Sequence, residues 1–221
     1  MKKNWIVLLG LFPMTLMAQG KKFTLSGNTT QAENCGVLFN YIGPDNQVKK
    51  DTGFVKNGHF TFSGTAFDER IMAQVIVFAQ PRDYSLLFYL EPGNIQLDIM
   101  GDKVKDQRAG TPLNKELQEF VKMENAALDT LNANRKPTAA LTIYHPDAQP
   151  TILHVIRKYM EKHPHSVIGI DQMVNVARVY KNPPALLAVY NLMDNAAQKS
   201  KQGIQVKTII DGMPSPDSSG K

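Results

Sequence analysis

From Phe23 to about Gly110, apolar and polar positions alternate in short runs separated by turn residues. Phe23 and Leu25 alternate with polar neighbours and end at Ser26-Gly27-Asn28, and Val37, Phe39 and Tyr41 alternate up to Gly43-Pro44-Asp45-Asn46. Period two is the signature of a strand with one face on a core. Phe54-Val55-Lys56 and Phe60-Thr61-Phe62 flank Asn57-Gly58. That dipeptide predicts a hairpin, because a type I′ turn needs positive φ at both central residues. Ile71 to Ala79 and Tyr84 to Leu90 are more continuously apolar, the pattern of fully buried strands. Ile95, Leu97 and Ile99 alternate again after Glu91-Pro92-Gly93-Asn94. Strands at this spacing predict an antiparallel sandwich or barrel.

At Gly110-Thr111-Pro112 the period lengthens. Thr111 can cap a helix and Pro112 suits its first position. Leu113, Leu117, Phe120, Val121, Leu128 and Leu131 form a helical stripe. Asn134 to Pro150 is less regular and reads as containing a loop. A second helix carries Ile152, Val155, Ile156, Tyr159 and Met160 and stops at His163-Pro164. A third carries Val167, Ile170, Val174 and Ala177. A fourth starts at Asn182-Pro183, with Leu186, Tyr190, Met193 and Ala197 on one face. Ile204 to Ile210 reads as a short strand or extended arm, and Asp211 to Lys221 as a tail with little to bury. The expected class is α+β: an N-terminal antiparallel β-sandwich followed by a helical region. The expected segments are 1–18 (signal peptide), 19–110 (sandwich), 111–203 (helical) and 204–221 (extended or disordered tail).

The first segment sits outside this pattern. Met1-Lys2-Lys3 is positive, and Trp5 to Met17 is an apolar run of signal-peptide size, short of the roughly 20 residues of a membrane span. Cleavage is expected between Ala18 and Gln19, with an exported, periplasmic or envelope protein as the product. The 221 residues carry 25 Lys and Arg against 20 Asp and Glu, a formal charge of +5. Loss of Lys2 and Lys3 leaves +3. That balance, with no basic stripe interleaved with aromatics, gives no reason to expect nucleic acid as a partner.

Composition narrows the chemistry further. One cysteine excludes an intramolecular disulfide, a Cys-x-x-Cys pair and a Cys-rich zinc site. Cys35, after Glu33-Asn34, offers a free thiol for a mixed disulfide or, more plainly, a small side chain at a strand entrance. His163-Pro164-His165 has ligand-like spacing, with His145 and His154 upstream. Proline between the two histidines suits a helix-to-helix turn better than a metal site, which needs three or four converging ligands. Asp68-Glu69 and Glu91 are isolated acids, and Ser26, Ser63 and Ser85 lack a nucleophile-elbow context. Gly58 and Gly64 fall in hairpin and strand-end contexts rather than before a phosphate-binding helix. Met123, Met160, Met173 and Met193 lie at helical positions and read as core. No catalytic, cofactor-binding or metal residue is assigned.

Four segments together carry a resemblance: Phe23-Thr24-Leu25-Ser26-Gly27, Asn57-Gly58-His59-Phe60-Thr61-Phe62-Ser63-Gly64, Leu90-Glu91-Pro92-Gly93-Asn94-Ile95 and Gly110-Thr111-Pro112-Leu113-Asn114. In this order they resemble the family known as domain of unknown function 4369. That domain is commonly the N-terminal part of exported thioredoxin-like proteins of Gram-negative bacteria, followed by a helical connector and a TlpA- or ResA-like oxidoreductase domain. His163-Pro164-His165-Ser166 and Ser200-Lys201-Gln202-Gly203 look like turns of the connector. Gly212-Met213-Pro214-Ser215-Pro216-Asp217 is similar to the entry into the thioredoxin domain. The phenylalanine and Trp-Cys-x-x-Cys that the resemblance implies after Asp217 are missing, so the family's redox residues have no positions here.

These readings lead to an exported, non-enzymatic binding or docking module without a cofactor, its partner an envelope protein or a small ligand. The alternatives are a truncated remnant of such an oxidoreductase and a monothiol redox protein acting through Cys35.

Overall fold

A computed structural model describes residues 20–30, 33–67, 71–101, 105–133 and 145–214. The expected signal segment, Asp68-Glu69 and the end of the expected tail lie outside them. Eight strands come first: β1 (Lys21–Thr29), β2 (Gly36–Ile42), β3 (Val48–Phe54), β4 (His59–Ala66), β5 (Ile71–Val77), β6 (Tyr84–Leu90), β7 (Gly93–Ile99) and β8 (Gln107–Ala109). They form two four-stranded sheets, sheet A in the order β4-β1-β7-β8 and sheet B in the order β3-β2-β5-β6. The inward residues follow the period-two alternation. Leu25 lies opposite both Phe62 and Ile95 in sheet A, while Phe39 lies opposite Val75, and Val75 opposite Leu86, in sheet B.

Phe39 is the hub of the core between the sheets. Its ring is 5.9 Å from that of Phe23, 5.5 Å from that of Phe62 and 6.0 Å from that of Phe88. Buried aromatic clusters of this kind combine large apolar area with favourable edge and offset contacts.

One pairing departs from the antiparallel expectation, because β1 and β7 run parallel. β7 arrives from β6 in the opposite sheet through the Glu91-Pro92 corner. Its direction is therefore set by β6 and not by a hairpin with β1. The Asn57-Gly58 turn forms as expected, with φ of 52° and 74° and a Lys56–His59 bridge across it. The Glu33 carboxylate accepts the Asn57 and Gly58 amides at 2.8 and 2.9 Å. The strands beyond it do not form an extended hairpin. β3 belongs to sheet B and β4 to sheet A, so the turn carries the chain between layers.

Six α-helices follow among the described residues: α1 (Pro112–Ala133), α2 (Gln149–Lys162), α3 (Val167–Val179), α4 (Pro183–Tyr190), α5 (Asn195–Lys199) and α6 (Lys201–Asp211). The helix expected from Asn182 onward is two. Asp194 breaks it by accepting the Ala197 amide at 2.7 Å and so capping α5. The extended arm expected at Ile204–Ile210 is α6 instead. Ser200 caps it by accepting the Gly203 amide at 3.0 Å, and Gly203, Val206 and Ile210 are buried at helical spacing. Gly203 is no breaker here. A Cβ at this position would lie 2.1 Å from the Ala197 carbonyl oxygen, so glycine permits the close approach of α5. Gly203→Ala should cost about 1–3 kcal/mol in urea unfolding, because overpacking a backbone contact forces a shift.

Helix α1 joins the two halves. Its buried Asn114 accepts the Tyr89 amide at 2.9 Å and donates to the Tyr89 carbonyl at 2.7 Å, standing in for a neighbouring strand at the β6 edge. One turn later, Gln118 accepts the Arg108 amide at 2.9 Å and donates to the Asp106 carbonyl at 3.3 Å. The first helical amides go to the Glu91 carboxylate, from Leu113 at 3.2 Å and Asn114 at 3.3 Å. A carboxylate there also complements the positive end of the helix. Gly110, at φ 91°, makes the approach possible, since a Cβ would lie 1.9 Å from the Asn94 carbonyl oxygen.

Candidate docking surface

Among the described residues, the chemistry-bearing residues singled out in the sequence do not converge. Among the described residues, no group of three or more His, Cys, Asp or Glu could hold a metal ion. The His163 ring packs on Tyr159 with centroids 4.7 Å apart, and His145 accepts the Asp147 amide at 3.2 Å in a local turn. His154 and His165 are exposed. Ser26 and Ser63 lie on the outside of sheet A and Ser85 on the outside of sheet B, all exposed. Glu91 caps α1. Met160, Met173 and Met193 are buried in the helical core, with Met123 packed against it.

Cys35 stands half-buried just before β2, where its carbonyl accepts the Val55 amide at 3.0 Å. Burial pushes its thiol above the ordinary range, and Glu33 adds to the shift. The thiolate fraction at neutral pH is therefore below that of a free cysteine. Alkylation by iodoacetamide should be slower than for a cysteine peptide. Its rate should still climb with pH where the peptide's has levelled off, and mass spectrometry of quenched samples checks this.

Two further polar clusters serve the helical region. Tyr159 donates to the Glu116 carboxylate at 2.9 Å, and the Ser166 hydroxyl donates to the same oxygen, tying α1, α2 and α3 together. Burial, then the Glu116 bond, holds the Tyr159 phenol well above its ordinary pKa. Arg108 donates to the Leu87 carbonyl at 2.5 Å and to Gln118 at 3.3 Å. Burial pushes its guanidinium down to about 10, against the opposing pull of Asp106 and Glu124, so it stays charged at neutral pH.

The two outer sheet faces differ sharply. Sheet A presents Thr24, Ser26, Asn28, Thr61, Ser63, Thr65, Asn94, Gln96 and Asp98 outward, all exposed or half-buried. His59, Asn28 and Asp98 form a hydrogen-bonded row across it, each link 2.7 Å. This is the polar outside usual for an antiparallel sheet.

Sheet B presents apolar residues on the corresponding face. Ile42 and Val48 are 59% and 57% exposed, Phe54 66%, Met72 37%, and Phe78 and Leu87 each 46%. Leu38 and Ile76 lie between them, half-buried. Pairing registers set these side chains in successive rows across the strands, Val48–Ile42 next to Lys50–Asn40–Gln74–Leu87 and then Thr52–Leu38–Ile76. An open depression of about 290 Å³ lies between Ile42, Val48, Met72, Gln74 and Leu87. The polar row Lys50–Asn40–Gln74 divides the apolar positions, with Ile42, Val48 and Met72 on one side and Leu38, Ile76, Phe54 and Phe78 on the other, and exposed apolar groups so clustered mark interaction surfaces.

The sequence reading missed this face. The continuous apolarity of Ile71–Ala79 and Tyr84–Leu90 reads as that of buried strands. Met72, Phe78 and Leu87 are instead on the exposed side. The signal was present in Ile42 and Val48, apolar residues immediately flanking a turn with no inward role.

A family model described as Domain of unknown function (DUF4369) matches residues 23–117. No curated protein matches the chain. The matched segment takes in the sandwich from Phe23 in β1 onward and ends in the first turns of α1, at Leu117. Three of the four segments that carry the resemblance therefore have structural work in view: the interlayer turn at Asn57-Gly58, the Glu91 cap and the Asn114 clamp.

Proposed function

Because residues 23–117 belong to the DUF4369 family, we propose that the protein is an exported, non-enzymatic docking module of the Gram-negative cell envelope, built around that domain. The outer face of sheet B is its contact surface. The observation that carries this reading is the contrast between the two outer faces on a single sandwich, one polar and one largely apolar but crossed by Lys50, Asn40 and Gln74. Burial of exposed apolar area on a partner is favourable by about 25 cal/mol per Å². The resemblance to the N-terminal part of thioredoxin-like oxidoreductases supports a partner in envelope thiol chemistry. The signal-like segment up to Ala18 supports export. No helix of the described residues is long and apolar enough to cross a membrane.

The test is a methionine footprint. Met72 is exposed on the face, whereas Met160 and Met173 are buried. Peroxide oxidation of Met72 should be several-fold slower in intact envelopes than in the purified protein. Equal rates would contradict the reading. So would thioredoxin-like turnover of the purified protein that is lost on Cys35→Ser.

A further inference from the structure

The occupant of sheet B's outer face can be specified from the structure, resting on the docking reading above. We infer that it is one amphipathic α-helix of a partner polypeptide, carrying an acidic residue on its flank.

Three observations converge. First, the chain already packs helices against one end of this same face. Tyr89 points outward from β6 in the row that continues from Met72, yet it is only 1% exposed. It is buried in the helical core, and its hydroxyl donates to Asp171 of α3 at 2.5 Å. The helical cover stops at β6, and Met72, Ile42 and Val48 remain open.

Second, the dimensions fit a helix. Seven-residue strands span about 23 Å, and four strands span about 14–19 Å. An α-helix of about 15 residues is about 23 Å long and 10–12 Å wide with its side chains.

Third, the face has a directional charge. Lys50 is the charged residue among the outward positions of these four strands, in line with Asn40 and Gln74. The neighbouring Lys49 is engaged by Asp45 at 2.6 Å, whereas no carboxylate of the described residues pairs with Lys50. An acidic side chain beside the helix's apolar stripe meets that cation while the stripe covers Ile42, Val48 and Met72. A lipid surface is not favoured, because anionic headgroups recruit clusters of lysines and this face carries one.

The experiment titrates the purified protein, with its methionine methyls ¹³C-labelled, with a synthetic amphipathic helix of about 16 residues. Its stripe is leucine and its flank glutamate. The Met72 methyl should shift saturably while Met160 and Met173 stay put. Leu87→Glu should weaken binding at least about tenfold. Lys50→Glu should weaken it by about tenfold as well, and a lysine-flanked peptide should restore it. No shift of Met72 at millimolar peptide overturns the inference, as does indifference to the charge exchange. Binding to phosphatidylglycerol vesicles in preference to the peptide would assign the face to lipid. A doubled mass in light scattering that Leu87→Glu abolishes would assign it to a second copy. If Met72 is protected in envelopes yet ignores the helix, the docking reading stands and the helical occupant falls.

Discussion

Asn114→Ala should lower the free energy of unfolding by about 3–5 kcal/mol, read from urea midpoints at unchanged slope. Asn114 is fully buried and serves both backbone groups of Tyr89, at 2.9 and 2.7 Å. Its amide also donates to Thr111 at 2.8 Å. Removing it strips two strand-edge groups of their partner in a place that water reaches poorly. Each such group costs about 1–3 kcal/mol when left unmade. The cavity left by the side chain adds to that. Glu91→Gln should cost less, about 0.5–2 kcal/mol, since the amide oxygen still accepts one of the two backbone amides that the Glu91 carboxylate takes from Leu113 and Asn114. A loss below about 1 kcal/mol for Asn114→Ala would mean that the amide does not hold α1 to the sheet.

The second large effect contrasts two neighbours on one strand. Phe39→Ala should cost about 3–5 kcal/mol, the range for a buried aromatic truncated in a core. Phe39 contacts the rings of both sheets, so its loss opens a cavity at the centre of the sandwich. Leu38→Lys, one residue earlier, should change stability by no more than about 1 kcal/mol, because its side chain points out of the other face. Parallel urea titrations of the two variants decide the matter. A large loss for Leu38→Lys would show that its side of sheet B is core and no docking surface.

Much of this architecture was legible in the chain. Alternation located β1, β2, β4 and β7, and continuous apolar runs located β5 and β6, whereas the run expected at Phe54-Val55-Lys56 meets β3 only at its last residue; the Asn57-Gly58 dipeptide, read as a hairpin, located the interlayer turn. β8 was missed because Gln107-Arg108-Ala109 is too short to show a period. Its place is fixed by pairing with β7 and by the side chain of Gln118, both distant in sequence. The parallel β1–β7 pairing is likewise a long-range choice that no local pattern encodes. α6 was misread because Gly203 and the β-branched residues after it weigh against a helix locally. Packing of Val206 and Ile210 overrides that weak preference.

The candidate surface was less legible than the fold. Periodicity separates inward from outward positions, but it cannot say whether an apolar outward position is covered. Tyr89 and Met72 sit opposite one another in adjacent strands, and one is buried by helices while the other is open. Only the placement of α1 and α3 distinguishes them. Asn114 posed the converse problem: a polar residue at a helix start reads as surface, yet it is among the most buried polar groups described.

Site-specific photo-cross-linking in living cells reads out whether sheet B meets a partner. A cross-linking residue replaces Leu87 or Phe78 on sheet B in one set, and Ser26 or Ser63 on sheet A in the other. A discrete protein adduct is expected from the sheet B positions and none from the sheet A positions. Adducts from sheet A alone, or equal labelling from both faces, would contradict it.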